Sequence, residues 1–317
     1  MRLKIKKLLF NLTNNARMST KELAKKTKSS QQSCSYLVGQ YRKRNLIQDF
    51  LTIVDPVKLG FLNIIVGFDF MPMEAKERRS VINELARHPN IVFLEENNVG
   101  VDLLVEYCVQ NMSAFNKQHS EIVGRFPDLR ARFIFPVLVK HTYAKNYLMR
   151  KGEDIDMVLS GDRDPVTLGP NEIAVLRGMV RGPRSSMSAI ASQAGLSVKS
   201  VSRVKQSLER KQVIKGYTCT LNHGRFEILR HHVLFKFTNE GVGFMNSFVQ
   251  YARQHKNIVR LVKLLGNYQV LITIEELKSA EVVQDIRARY PTDDYLVIRS
   301  TRLIKRAHLP PDGLAEG

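Results

Sequence analysis

Two short stretches of the chain set side chains that hydrogen-bond nucleobases and phosphates at helical spacing. One carries Lys199, Ser200, Ser202, Arg203 and Lys205 on its outward positions. The other carries Gln31, Gln32, Ser33, Ser35 and Tyr36, with Arg42, Lys43 and Arg44 at its far end. A guanidinium matches the O6/N7 edge of guanine, a Gln amide the N6/N7 edge of adenine, and Ser or Lys suits phosphates or base edges. A solvated helix face has the same composition; what argues for contact is that two such faces recur, each in a capped helical segment. Bond-breaking chemistry finds no comparable set. The eight histidines are scattered, and His231 and His232 are neighbours on a strand, so they point to opposite faces. Cys34, Cys108 and Cys219 form no CxxC pair, nothing has metal-ligand spacing, and the lone Gly241-Val242-Gly243 is too short to cradle a phosphate. The expectation is a protein without cofactor, metal or catalytic residues, and not an enzyme.

The charge points the same way. Of a formal net charge of +19, residues 1–50 contribute +10 and residues 171–215 contribute +7. Two basic segments in a nearly neutral body suit two contacts with a polyanion, double-stranded DNA first. No apolar run approaches the ~20 residues of a membrane span, and unpaired cysteines suit a reducing compartment. The expected setting is cytoplasmic, with no membrane partner.

The elements that must position these side chains come twice. At an offset of 167, Arg17 meets Arg184, Ala24 meets Ala191, Ser30 meets Ser197, Ile47 meets Ile214, Phe68 meets Phe235, and Asn90-Ile91-Val92 meets Asn257-Ile258-Val259; only the last helix slips, to 164. In each copy a Ser-capped helix and a second Ser-capped helix make a helix-turn-helix. Ser19-Thr20-Lys21-Glu22 reads as a capping box, Ser30, Ser186 and Ser197 as N-caps, and Gly195 as the break. The alternating stretches Ile47–Val54 and Ile214–Leu221 suit the strand of a wing. Each copy then runs strand, helix, strand, strand, helix, strand: Ile64–Phe70, Ala75–Arg87, Ile91–Glu95, Val101–Tyr107, Ala114–Arg125, Phe133–Val139, and His231–Thr238 through a helix at Ser279–Arg289 to Tyr295–Ile304.

The predicted fold class is α+β, two copies of a winged helix-turn-helix followed by a ferredoxin-like βαββαβ domain. The limits are 1–55 and 60–148, a linker at 149–170 read as loop, then 171–222 and 228–310. Two helices cover one face of each four-stranded sheet. The other face, with Leu104 and Leu271 beside Asp102, Glu106, Gln269 and Thr273, is expected to pair sheet to sheet, within the chain as a pseudo-dimer or between chains as a homo-oligomer.

With Gly195-Leu196-Ser197 opening the third helix and Ile214-Lys215-Gly216-Tyr217 following it, the chain resembles the Lrp/AsnC family of transcription regulators. The repeat, and the junction His141-Thr142-Tyr143-Ala144-Lys145-Asn146-Tyr147-Leu148, resemble its tandem archaeal-like form. The resemblance implies DNA binding with recognition helices in the major groove, assembly through the ferredoxin-like domain, and an amino-acid effector near the loop before its third strand. Here those loops offer Asn98, Gly100 and Asp102, and Gly266, Asn267 and Tyr268. The acidic residue is Gln269 in the second copy and the glycine is displaced by one position; a plain connecting turn is the other reading. Siroheme decarboxylases share this architecture. They are expected to keep aromatic and His residues in the sheet cleft and to lose the basic face, and this chain has no Trp and two basic faces. That enzyme and a non-catalytic effector or RNA-binding module remain the alternatives.

Overall fold

Capping serines set the helix boundaries. The computed structural model describes residues 3–277, 281–310 and 313–314. Its first half runs α1 (Leu3–Asn14), α2 (Thr20–Thr27), α3 (Gln31–Lys43), β1 (Ile47–Val54), β2 (Leu62–Phe70), α4 (Ala75–Arg87), β3 (Ile91–Val99), β4 (Leu103–Val109), α5 (Met112–Arg125) and β5 (Leu129–Tyr143). After β6 (Asp156–Ser160) the order recurs as α6 (Pro170–Arg181), α7 (Met187–Ala194), α8 (Val198–Arg210), β7 (Ile214–Leu221), β8 (Leu229–Phe237), α9 (Val242–Gln254), β9 (Ile258–Leu264), β10 (Val270–Glu276), α10 (Val282–Arg289) and β11 (Thr292–Arg306). The Ser19 hydroxyl accepts from the Glu22 N–H at 3.2 Å while the Glu22 carboxylate accepts from the Ser19 N–H at 3.0 Å. Ser30, Ser186 and Ser197 accept from the N–H of Ser33, Ala189 and Ser200 at 3.1 Å; each such cap contributes about 1 kcal/mol. The turn into α3 and into α8 needs a left-handed residue. Gly195 supplies it at φ 64° without steric cost, whereas Lys28 is held there at φ 54°.

The two helix-turn-helix units form one body. The strands expected to start separate wings pair with each other instead: β1 and β7 make a two-stranded antiparallel sheet. Each strand thereby finds across the halves the partner that a hairpin would have supplied within one. Across it, Thr218 donates its hydroxyl to the Thr13 carbonyl at 2.7 Å and Thr52 to the Met179 carbonyl at 2.6 Å, so each first helix is tied to the other unit's strand. Arg17 lies over the Tyr217 ring at 5.5 Å and Arg184 over the Phe50 ring at 4.9 Å, an exchanged pair of cation–π contacts. Leu9, Leu12, Leu23 and Ile47 share a single core with Val175, Leu176, Ile190 and Leu208.

The ferredoxin-like sheets close on one another. Among the described residues, eight strands form a ring in the order β2-β4-β3-β11-β8-β10-β9-β5, with β5 returning to β2 and β6 adding outside β5. The two 15-residue strands make the corners. β5 starts on β2 and ends on β9, and β11 starts on β8 and ends on β3, with register shifts at Val137/Val139 and Arg299/Ser300 where each changes sheet. Helices α4 and α5 cover one sheet over Ile64, Val66, Phe68 and Val105; α9 and α10 cover the other over Val233, Phe235 and Ile272. Between the sheets Ile65, Phe93, Leu104, Phe135, Leu234, Leu271 and Ile298 form an inner core. The sheet-to-sheet face is thus formed within the chain.

Three local expectations change. The segment read as loop, 151–170, contains β6, which joins the free edge of β5; its Ser160 N–H and the Arg163 guanidinium bind the fully buried Asp55 carboxylate at 2.8 and 2.6 Å. The apolar run Met157-Val158-Leu159 is too short to stand out among Asp, Gly and Pro. Strand β3 runs to Val99, beyond Glu95, because its far end pairs with β11. The helix expected from Ser279 begins at Val282; Ser279 and Ala280 lie outside the described residues.

Candidate nucleic-acid interface and buried polar chamber

The caps that start α3 and α8 leave the same face of each helix in solvent. Gln31, Gln32, Ser35 and Tyr36 are exposed, and Ser33 is half-buried; Lys199 and Arg203 are exposed, and Ser200 and Ser202 half-buried. Lys205 differs from its expected role. Its ammonium pairs with Glu209 at 2.8 Å and lies over the Tyr217 ring at 5.8 Å, and the Tyr217 hydroxyl donates to the same Glu209 oxygen at 2.9 Å. Helical spacing puts Lys205 on the outer face and also puts Glu209, four residues on, beside it; the pair was legible in the sequence and was missed.

The distal ends of the two helices are not alike. Arg42, Lys43 and Arg44 are exposed and, among the described residues, form no ion pair. Lys43, Arg44 and Arg225 line one open concavity beside Asn45 and Leu46. Arg225, from a short turn after β7, was missed in the sequence because its neighbours there are not basic. At the corresponding places of the other unit Arg210 is exposed, but Lys211 pairs with Glu172 at 2.7 Å and Lys58 donates to the Asp164 carbonyl at 3.0 Å. Free positive charge therefore sits at the C-terminal end of α3 and mainly along the body of α8.

The loops considered for an effector are tightly packed connections. Gly100 has φ 87°, and a Cβ there would meet the Val297 carbonyl oxygen at 2.5 Å; one at Gly266 would meet the Phe135 ring at 2.6 Å. Asp102 accepts from the Phe70 N–H at 2.8 Å and pairs with Arg78 at 3.1 Å; Gln269 accepts from the Phe237 N–H at 2.8 Å, the same bond in the other half. Tyr268 donates to Asp294 at 2.5 Å, while Asn98 and Asn267 are exposed.

A different polar site fills one end of the barrel. Glu95 and Glu275 are fully buried. Glu95 binds His232 and, at 3.1 Å, Arg230; Glu275 binds Lys145, Tyr147 at 2.8 Å, His223 at 3.0 Å and Arg230 at 2.9 Å. His232 also shares a hydrogen bond of 3.0 Å with Thr273. Alongside, Glu106 takes Lys140 and Arg260, each at 2.7 Å, and Lys140 donates to Asn63 at 2.9 Å. Burial alone would raise the Glu106 carboxyl, but Lys140 and Arg260 outweigh it and hold it at about 2. Burial likewise pushes His223 and His232 below the usual histidine range despite their carboxylate partners. Sequence spacing scattered these groups; strand pairing collects them. His231 points to the other side of the sheet, 3.6 Å from Glu276, as alternation required.

Comparison with known proteins separates the N-terminal part from the whole. Residues 1–48 match the model of a winged helix-turn-helix DNA-binding family. Over 136 residues, 43% of this chain and 88% of the relative, the chain is 24% identical to the HTH-type transcriptional regulator FL11 of Pyrococcus horikoshii, and 23% identical to FL11 of Pyrococcus furiosus over the same length. The crystal structure of the siroheme decarboxylase NirDL is similar over 97% of this chain and 94% of that one, with a TM-score of 0.61 and 12% sequence identity. The last match corrects the expectation of a chain that is not an enzyme: the architecture which missing motifs assigned to a non-catalytic protein is, over its whole length, that of an enzyme. The N-terminal region is a winged helix-turn-helix with regulator homologues, set in an α+β fold that a decarboxylase shares.

Proposed function

We propose that the chain is a double-stranded DNA-binding transcription regulator of tandem two-copy form. In this reading 1–55 and 171–222 act as winged units, α3 and α8 enter the major groove, and the two helices are not equivalent. The observation that carries it is the β1–β7 sheet, which joins two outward-facing recognition helices in one rigid body while their free charges lie at different places. A homodimer repeats one helix and reads a palindrome. Here Tyr36 stands where Arg203 is, and Gln32 where Lys199 is. One half-site is then read through Arg203 at guanine, the other through Gln31 or Gln32 at adenine, with Arg42, Lys43, Arg44 and Arg225 on phosphates. Selection of binding sites from random duplex DNA tests this. An asymmetric pair of half-sites is expected; a perfect palindrome, or no enrichment, overturns it.

A second reading is favoured by a groove of about 310 Å³ beside the chamber, whose lining includes His223, Arg230, His231, Arg299 and Arg302. Cationic walls with histidines suit a carboxylate-bearing substrate, and the decarboxylase of like fold makes siroheme the compound to try. Titration of the purified protein with siroheme, followed by visible absorption and product analysis, decides it: saturable spectral change with decarboxylated product supports catalysis, and an unchanged spectrum refutes it.

A further inference from the structure

The polar chamber holds more positive than negative charge, and one of its cations has no partner. Five cationic side chains, Lys140, Lys145, Arg230, Arg260 and Arg306, face three carboxylates, Glu95, Glu106 and Glu275. Four of the cations form ion pairs with those carboxylates. Arg306, on the last residue of β11, forms none among the described residues. It borders a cavity of about 60 Å³ between the winged pair and the barrel and a neighbouring one of about 30 Å³. Burial, then Arg230 and Arg260, push its guanidinium down to about 10 against the weaker opposing pull of Glu275 and Glu95. The rim also holds a donor with nothing to bind. The Asn14 amide nitrogen, on the wall of the larger cavity, is buried without a hydrogen-bond partner.

We propose that this cavity binds a small oxyanion, a carboxylate or phosphate of a few heavy atoms, between Arg306, Arg230 and Arg260, with Asn14 donating from the rim. The space matches that class: one water occupies ~30 Å³ of liquid, so the cavity takes a few heavy atoms and no macrocycle. The energetic reason is the unpaired charge. A half-buried cation without an ion-pair partner is costly, and an anion that pairs with it recovers part of that cost on binding. The position gives the anion a consequence. Asn14 ends α1, and Thr218 of β7 is on the same wall, whereas Arg230 and Arg260 belong to barrel strands. An anion held by both groups is a link between the winged pair and the barrel. The site is distinct from the loops around Gly100 and Gly266, and it rests on neither functional reading above.

The test uses the free full-length chain without DNA. Thermal unfolding is followed at constant ionic strength as chloride is replaced by phosphate, acetate or malonate. A saturable rise in Tm of several degrees is expected for at least one of them, since a ligand bound only by the folded state stabilises in proportion to the logarithm of its excess over Kd. Arg306→Gln should abolish the response and, by relieving like charge, raise Tm in chloride alone. Asn14→Leu, which keeps the branched shape, removes the unpartnered amide donor and leaves the ion pairs alone, should also abolish it. Phosphate active with acetate and malonate silent identifies a phosphate site, and the reverse a carboxylate site. A response that never saturates, or an undiminished response in both variants, overturns the proposal.

Discussion

Salt dependence distinguishes free cations on the recognition helices from those the fold has already neutralised. Apart from Arg203, which is assigned to a base edge, six exposed side chains lack an ion pair among the described residues: Arg42, Lys43 and Arg44 on or just after α3, Arg225 beside them, and Lys199 and Arg210 on α8. Each phosphate neutralised contributes about −0.9 to the slope of log K against log salt, so six give about −5, and affinity should fall roughly a thousandfold between about 50 and 200 mM salt. Arg203→Ala should hardly change the slope and should cost ~1–3 kcal/mol at the guanine it reads. Lys205→Ala should hardly change the slope, because Lys205 is already paired with Glu209 at 2.8 Å. Glu209→Ala should steepen it by releasing Lys205. Fluorescence anisotropy titrations on one duplex across the salt range measure all four proteins. A flat slope in the wild type would refute groove binding by these faces, and equal losses of affinity for the Arg203 and Lys205 variants would refute the ion-pair argument.

Other consequences follow from single positions. Lys28→Gly places the permissive residue at a left-handed position, as Gly195 does in the other unit; stability by denaturant titration should rise by about 0.5–1 kcal/mol. Leu104→Arg or Leu271→Arg puts an unpaired charge between the sheets, where these side chains are 2% and 1% exposed, and should destabilise folding by on the order of 4 kcal/mol; a stable, folded chain of smaller mass would contradict the intrachain barrel. The Glu106 carboxyl is held at about 2 against an ordinary 4.5. Its share of stability, of order 3 kcal/mol, is therefore fully present above about pH 4.5 and is lost as pH falls toward 2. Relative to the wild type, Glu106→Gln should be much less stable at pH 6 and differ little at pH 2; an equal deficit at both would refute the linkage.

The helices were legible because their signals are local. Ser19, Ser30, Ser186 and Ser197 each announce a helix start within four residues, and α4 has the limits that its apolar period gave. The strands β1 and β7 were legible in extent but not in partner, since alternation fixes which face is buried and says nothing about which strand lies alongside. The polar chamber was illegible for the same reason. Glu95, His232, Glu275 and Lys145 come from four segments up to 180 residues apart, and each has a polar neighbour, Glu96, His231, Glu276 and Asn146, so its own segment does not single it out. The signal that was available is an exception to pattern: Glu95, Glu106, Arg230 and Glu275 share their strands' inward faces with the apolar Phe93, Leu104, Leu234 and Leu271. A charge at such a place requires a buried counter-charge somewhere else.

That requirement also explains why the two halves belong in one chain. At the 167-residue offset Arg230 corresponds to Asn63, Thr273 to Glu106, Glu275 to Cys108 and Val262 to Glu95, and the strands β2 and β8, and β4 and β10, span the same offset. In a homodimer of the second half, Arg230 and Glu275 would be present twice and Glu95 not at all. In a homodimer of the first, Glu95 would meet neither Arg230 nor His232. The network closes only when one half supplies Glu95 and Lys145 and the other supplies Arg230, His232 and Glu275. A buried carboxylate left without its cation costs about 3–5 kcal/mol, so like-with-like pairing is penalised at several places at once. The same covalent pairing that fixes unlike halves in the barrel fixes the unlike helices α3 and α8 above it, through the β1–β7 sheet and the core it shares. Divergence in the barrel interior and divergence on the outward faces of α3 and α8 are then consequences of one arrangement: neither half has to complement a copy of itself.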